Sequence, residues 1–185
     1  MIGWSVLGTL SPEPALARPD LLAAPVAAAL KALDPADAAR VGVAEIDPAL
    51  ADTAAFCAAY GAPMDGSANC VVVAGRRGEM VRYAACLVLA TTRADVNGLV
   101  RRRLDARKAS FAPMDDAVAL TGMEYGGITP LGLPDDWPLL VDAAVAAAPA
   151  VVVGSGLRGS KLALPGALSA ALPGAEVVEG LARPA

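Results

Sequence analysis

Apolar residues recur along the chain in two rhythms. Alternation marks RVGVAEID, Arg40 to Asp47, as a strand. Two longer runs, ANCVVVAG and MVRYAACLVLA, are joined by Arg76-Arg77-Gly78-Glu79 and predict a β-hairpin. PLLVD, VVVGSG and AEVVEGL are short apolar runs of strand type, and Gly154 to Ser160 turn the chain into KLALP. Helical composition marks Pro19 to Leu33, with Pro25 as a kink, and DTAAFCAAYG, with Asp52 as N-cap and Gly61 closing it. Further helices are predicted from Ala94 to Ala106, from Pro113 to Gly122 with Asp115 and Asp116 at the positive end of the dipole, over AAVAAAPA, and from Pro165 to Leu172. Strands follow both hairpins and helices, so the sheet is expected to be mixed, in an α/β domain of the α+β kind. Residues 1–40 read as an N-terminal extension and 41–185 as the sheet domain.

Composition narrows this picture. A chain of 185 residues buries a sizeable core without staples, and with 56% hydrophobic but 4% aromatic residues that core is built from small aliphatic groups. A net charge of −4 argues against a broad nucleic-acid surface, while leaving room for one local patch that grips an end. The absence of histidine removes Ser-His-Asp and Cys-His designs and most zinc hydrolases. Cys57, Cys70 and Cys86 form no CxxC pair, so neither a disulfide framework nor a metal site is expected, and a reduced, cytoplasmic setting fits. The triplet Ala15-Leu16-Ala17 mimics a signal cleavage site, but no Lys or Arg precedes the apolar part and that part is short, so a secretory signal is not the expected reading. The greasy run Pro138 to Gly156 is broken by Asp142 and Pro149, which favours a globular core over a membrane span.

Three stretches carry candidate chemistry. In TGMEYGGITPLGLP, Thr121 to Pro134, Gly126 and Gly127 free the backbone while Pro130 fixes it and biases Thr129 to an extended form. That combination holds main-chain groups beside a ligand, or simply makes a turn with a bulge. In VVVGSGLRGSKLALP, Gly154, Ser155 and Gly156 can cradle an anion with Arg158 and Lys161, or form a plain hairpin loop; the spacing is not that of a Walker loop. RRRLDARK is basic: on a helix Arg103 and Arg107 share a face, either as a solvated helix end or as a phosphate contact. Asp142 reads as the cap of the helix after it, and Cys70 as a small core hydrophobe with no histidine to activate it.

In this order and spacing, DTAAFCAAYG, SANCVVVAG, RKASFAPMDDAVALTGMEYGGITPLGL, PLLVD and VVVGSGLRGSKLALP resemble the YbaK/EbsC family of aminoacyl-tRNA deacylases, related to the editing insertion of bacterial prolyl-tRNA synthetases. The resemblance runs from about Asp47 to Leu181. It implies a mixed, largely antiparallel sheet with surrounding helices in a single domain, and hydrolysis of the ester of mischarged aminoacyl-tRNA without cofactor or metal. It implies a catalytic set of Asn69, Gly126, Gly127 and Pro130. Substrate contacts would come from Thr121, Gly122, Ile128, Thr129, Asp142, Gly154, Ser155 and Gly156, and tRNA contacts from Arg103, Arg107, Lys108, Arg158 and Lys161. The implied partners are the tRNA acceptor end and an aminoacyl-tRNA synthetase. An activated ester needs mainly positioning and charge stabilisation, so the lack of histidine ceases to be a puzzle. The family usually carries a lysine where this chain has Asn69. Losing one such stabiliser costs about 3 kcal/mol, roughly a hundredfold in rate. The alternative is therefore a catalytically weak binding module for charged tRNA or a synthetase.

Overall fold

The predicted hairpin forms the spine of the molecule. In the computed structural model, which describes residues 3–185, strands β3 (Ala68–Arg77) and β4 (Met80–Leu89) pair antiparallel from Ala68↔Leu89 to Arg77↔Met80. Gly78 and Glu79 make the two-residue turn, with Gly78 left-handed at φ 62° as such a turn requires.

The remaining strands are β1 (Glu13–Pro14), β2 (Gly42–Glu45), β5 (Thr92–Ala94), β6 (Lys108–Phe111), β7 (Leu139–Asp142), β8 (Val151–Gly154), β9 (Ser160–Leu164), β10 (Ala175–Val178) and β11 (Ala182–Pro184). The helices are α1 (Ala24–Ala32), α2 (Pro35–Ala38), α3 (Thr53–Tyr60), α4 (Arg101–Arg103), α5 (Met114–Thr121), α6 (Ala143–Ala147) and α7 (Gly166–Ala170). They form a five-stranded mixed sheet ordered β10-β7-β4-β3-β6, a four-stranded antiparallel sheet ordered β1-β2-β9-β8, and a β5/β11 ribbon. The fold is thus mixed α/β, with largely antiparallel sheets and surrounding helices.

Strand alternation sets the layers. Ala85, Leu87, Leu139 and Val141 of the larger sheet and Val43, Val151, Val153, Leu162 and Leu164 of the smaller one share a central core with Val26 and Leu30 of α1. The opposite parity of the larger sheet, including Ala84, Cys86, Val88 and Leu140, packs on Val96, Val100 and Leu104. The opposite parity of the smaller sheet, Ala44, Val152 and Ala163, packs on Leu7 and on Phe56 of α3. Residues from the first forty therefore sit inside both of the layers that flank the smaller sheet.

Two helices differ from expectation. The segment from Pro19 begins as a 3-10 turn, and Pro25 opens α1 rather than kinking it, because its missing N–H falls in the first helical turn, where no intrahelical partner exists. The helix expected over 94–106 is a π-helical turn, Val96–Val100, that runs into the short α4. Asp95 starts it by accepting from Gly98 N and Leu99 N, and Asp105, at φ 50°, ends it. Arg107 and Lys108 therefore leave the helix: Arg107 N donates to Arg76 O and Lys108 opens edge strand β6, so Arg103 and Arg107 share no helical face. Among the described residues no helix is long and apolar enough to cross a membrane.

Candidate functional site

The start of α3 approaches the point where the two sheets meet. An isolated bridge joins Ser67 to Val152 there. Asp52 caps the helix, its Oδ1 accepting from Ala54 N at 3.1 Å and Ala55 N at 3.2 Å. Beside it, Thr53 Oγ1 donates to Asn69 Oδ1 at 2.7 Å. The amide nitrogen of Asn69 makes no protein hydrogen bond among the described residues and remains available as a donor.

Lys161 reaches the same place from β9. Its parity points it toward α3 rather than the central core, paired across the sheet with Ala44 and Gly154. The side chain is only 6% exposed. Its ammonium donates to Ala51 O at 2.8 Å and lies 5.5 Å from the centre of the Phe56 ring, within cation–π range. Burial lowers the Lys161 ammonium below the usual lysine range, nearby Asp52 pulls it back, and Arg158 pushes it further down.

Asp52, Thr53, Asn69, Gly126, Arg158 and Lys161 line one cavity of about 640 Å³, within the range of small-ligand sites. Its walls are otherwise mostly small and apolar, including Ala51, Ala68, Val72, Ala117 and Ile128, with Met64, Phe111 and Tyr125 as the larger side chains. The pairing of β3 with β6 covers only Val73 to Arg76, so the first half of β3 presents an unpaired edge to this space. The Cys70 thiol is there too, but burial raises it well above the ordinary thiol range and leaves it a poor nucleophile. No group of three or more His, Cys, Asp or Glu suited to a metal exists among the described residues.

The two glycine-rich loops are joined through their main chains. Gly156 N donates to Gly127 O at 2.7 Å, and Glu124 N donates to Gly156 O at 2.8 Å. A Cβ on Gly154 would lie 2.3 Å from Gly127 O, and one on Gly127 would lie 2.8 Å from the Leu157 backbone. The glycines at 127 and 154 are thus required by loop-on-loop contact. Gly126, at φ 86°, lines the cavity, and Arg158 Nη1 donates to the carbonyl just before it, Tyr125 O, at 3.0 Å.

Of the residues singled out from sequence, Asn69, Gly126, Ile128, Gly154, Arg158 and Lys161 come together around the cavity. Gly127, Thr129 and Pro130 are buried and do not line it, and Thr129 Oγ1 is a buried hydroxyl without a protein partner among the described residues. Thr121 bonds Ala117 O and Met123 N to finish α5, and Gly122 is its left-handed cap at φ 67°. Ser155 and Ser160 hydroxyls hold their own turn at 2.6 Å, while Gly156 packs on Ala23. Asp142 caps α6 through Ala144 N and ties Ala182 N, away from the cavity. Arg103 is ion-paired with Glu176; Arg107 and Lys108 line a separate groove. Thr53 and Asp52 are site residues beyond those expected from sequence. Their signal there is the polar pair that opens DTAAFCAAYG, one of the segments that carry the family resemblance.

The assembly is a two-sheet α/β domain with amide, ammonium and carboxylate groups in one cavity at the sheet junction. The family model of the aminoacyl-tRNA editing domain matches residues 47–170, and the chain belongs to that family. Among solved structures, it is similar to a protein proposed as a trans-editing enzyme for prolyl-tRNA synthetase: TM-score 0.68, 22% identity, covering 85% of this chain and 97% of that one. A scaffold protein used for computational grafting of epitope backbones shows the same fold, with TM-score 0.69, 24% identity, and coverage of 85% and 95%. Comparison with curated proteins finds no match.

Proposed function

We propose that this domain acts in trans as a cytoplasmic deacylase, hydrolysing the ester of mischarged aminoacyl-tRNA. The observation that carries the reading is the convergence of Lys161 and Asn69 on one cavity in a domain of the editing family. Lys161 supplies the cation that position 69 does not. The ester hydrolyses by water attack on its carbonyl carbon; charge collects on the carbonyl oxygen, and the bond to the ribose oxygen then breaks. Fixed donors aimed at that oxygen lower the barrier because they need no reorganisation during the step. The Asn69 amide is held ready by Thr53, and the ammonium of Lys161 keeps two N–H groups beyond the one given to Ala51.

Asp52 completes the recognition. Its Oδ1 caps α3 while its other oxygen makes no protein hydrogen bond among the described residues, which suits it to the α-ammonium of an aminoacyl group. The small apolar walls suit an uncharged side chain. A deacylation screen over charged tRNAs tests this reading. Wild type is expected to release at least one amino acid, and Lys161→Met to slow that release about a hundredfold. Charged-tRNA binding without hydrolysis by wild type would instead identify a binding module.

A further inference from the structure

A second concavity, of about 500 Å³, lies along edge strand β6. Arg76, Arg101, Arg107 and Lys108 line it, with Asn97 and Ser110, and no carboxylate does. This is unusual for a chain of net charge −4. Around the molecule, Arg18, Arg40, Arg77, Arg82, Arg103 and Arg183 each have an acidic partner. Of the nine Lys and Arg residues without an acidic partner among the described residues, four are gathered in this one groove. Moreover, Arg76 and Lys108 are direct partners in the β3–β6 register. Like charges placed opposite one another across strands are destabilising, and an anion between them removes that cost. Arg101 is held in place, its Nε donating to Asn97 O at 2.9 Å.

The groove and the cavity share two strands. β3 contributes Ala74 and Arg76 to the groove and Asn69 to the cavity; β6 contributes Lys108 and Ser110 to the groove and Phe111 to the cavity. Phe111 is 62% exposed, a large apolar ring on the rim of the cavity, next along β6 to the groove's Ser110. From Lys108 to Phe111 is three residues, roughly 10 Å of strand with opposite parity, so a chain passing from one to the other crosses the free edge of β6. A stacked nucleic-acid strand advances about 3.4 Å per nucleotide, so roughly three nucleotides cover the same length.

We propose that the β6 groove binds the phosphodiester backbone of a single-stranded RNA 3′ end about three nucleotides upstream of the terminal nucleotide, with Phe111 as a platform on which an intervening base stacks. The proposal rests on the deacylase reading for the terminal nucleotide in the cavity, and it assigns the groove, Arg76, Arg101 and Phe111, to a ligand that the cavity alone does not reach. Arginine guanidinium groups and a Lys ammonium match phosphate oxygens, and aromatic rings accept any base on their faces.

The test uses uncharged RNA and therefore does not depend on hydrolysis. Fluorescein-labelled single-stranded oligonucleotides of one to six nucleotides ending in adenosine, and an acceptor-stem minihelix with a single-stranded 3′ end, are titrated by anisotropy at several salt concentrations. Affinity is expected to step up between two and four nucleotides. Arg76→Ala and Arg101→Ala should each weaken minihelix binding about tenfold and lower the salt slope by about one, with longer oligonucleotides affected and mononucleotides not. Phe111→Ala should cost about tenfold with no change in salt slope. Arg40→Ala, whose guanidinium is paired with Asp37 away from the groove, serves as the charge control and should leave binding unchanged. Melting temperatures confirm that each variant is folded. Wild-type affinity and slope in the folded Arg76→Ala/Arg101→Ala double variant overturn the proposal, as does equal loss with Arg40→Ala. Groove-dependent binding without hydrolysis of any charged tRNA overturns the deacylase reading and leaves the groove assignment standing.

Discussion

The Thr53 hydroxyl donates to Asn69 Oδ1 at 2.7 Å across a sequence gap of sixteen residues. It ties the first residue of α3 to the unpaired edge of β3. It also decides which end of the Asn69 amide meets the cavity, since an amide whose oxygen is engaged offers its N–H₂ to a ligand. Replacing Thr53 with Val keeps the shape and removes the donor. Stability should fall by about 1 kcal/mol, the net worth of one hydrogen bond, while deacylation falls about tenfold as the amide loses its orientation. Asn69→Asp should do worse, about a hundredfold, because an ionised carboxylate only accepts and repels developing negative charge. Equal rates for wild type and Asn69→Asp would remove Asn69 from the chemistry.

Lys161 predicts a pH dependence of stability. Its folded-state pKa lies below the ordinary value of 10.5 because it is buried. The unfolded chain therefore binds more protons between the folded and the unfolded pKa, so stability rises with pH across that window. Below the folded pKa the cost of burying the charge is present in full; above 10.5 it is gone. Urea unfolding of wild type and Lys161→Met at a series of alkaline pH values should show this rise in wild type only. Parallel curves would mean that the ammonium is not held at a cost.

Asp52→Asn isolates charge from capping. Asparagine caps a helix about as well as aspartate, so the melting temperature should move little. For an aminoacyl ester with a free α-amino group, KM should rise about tenfold, the worth of one charge-assisted bond, with kcat nearly unchanged. The same ester N-acetylated should not distinguish the two proteins. If both esters respond alike, Asp52 is only a cap.

Gly154→Ala forces a methyl group to within 2.3 Å of Gly127 O, a main-chain atom that cannot swing aside. A loss of about 1–3 kcal/mol is expected from overpacking, together with disruption of the loop pairing that supports Gly126. Gly78→Ala is the comparison. It has a positive φ of 62° but open space around its Cβ, so only the backbone penalty of about 1–2 kcal/mol remains. Calorimetry of both variants separates crowding from strain. A larger loss at Gly78 would contradict the loop-on-loop account.

Local rules made several elements readable in advance. The β3–β4 hairpin has β-branched runs around a turn that needs a left-handed glycine. Helix α3 has its Asp cap and a left-handed Gly61. Pro113, with two acids after it, opens α5, and Gly122 closes it. Each is a contest settled within a few residues. The helix expected over 94–106 is shorter, from Val96 to Arg103 and π-helical at first, because Asp95 caps its start and Asp105, left-handed at φ 50°, turns the chain out of it. Short β6 and β11 carry too few residues for a period to register, and their pairing partners supply the reason they extend.

The sequence by itself determined the kind of core, the absence of histidine chemistry, the principal hairpin, and the glycine and aspartate positions that cap and turn the chain, because these depend on composition and near neighbours. It also named Asn69, Gly126, Arg158 and Lys161, but could not say that Lys161 faces Asn69's cavity rather than RNA. That depended on the register of β9 against β2 and β8, which sends Lys161 under α3, where Ala51 O and the Phe56 ring receive it. The register of β6 on β3 likewise set Lys108 opposite Arg76, thirty-two residues away in the chain. Strand parity is a local property, but which face and which partner it meets are decided only when the sheets assemble.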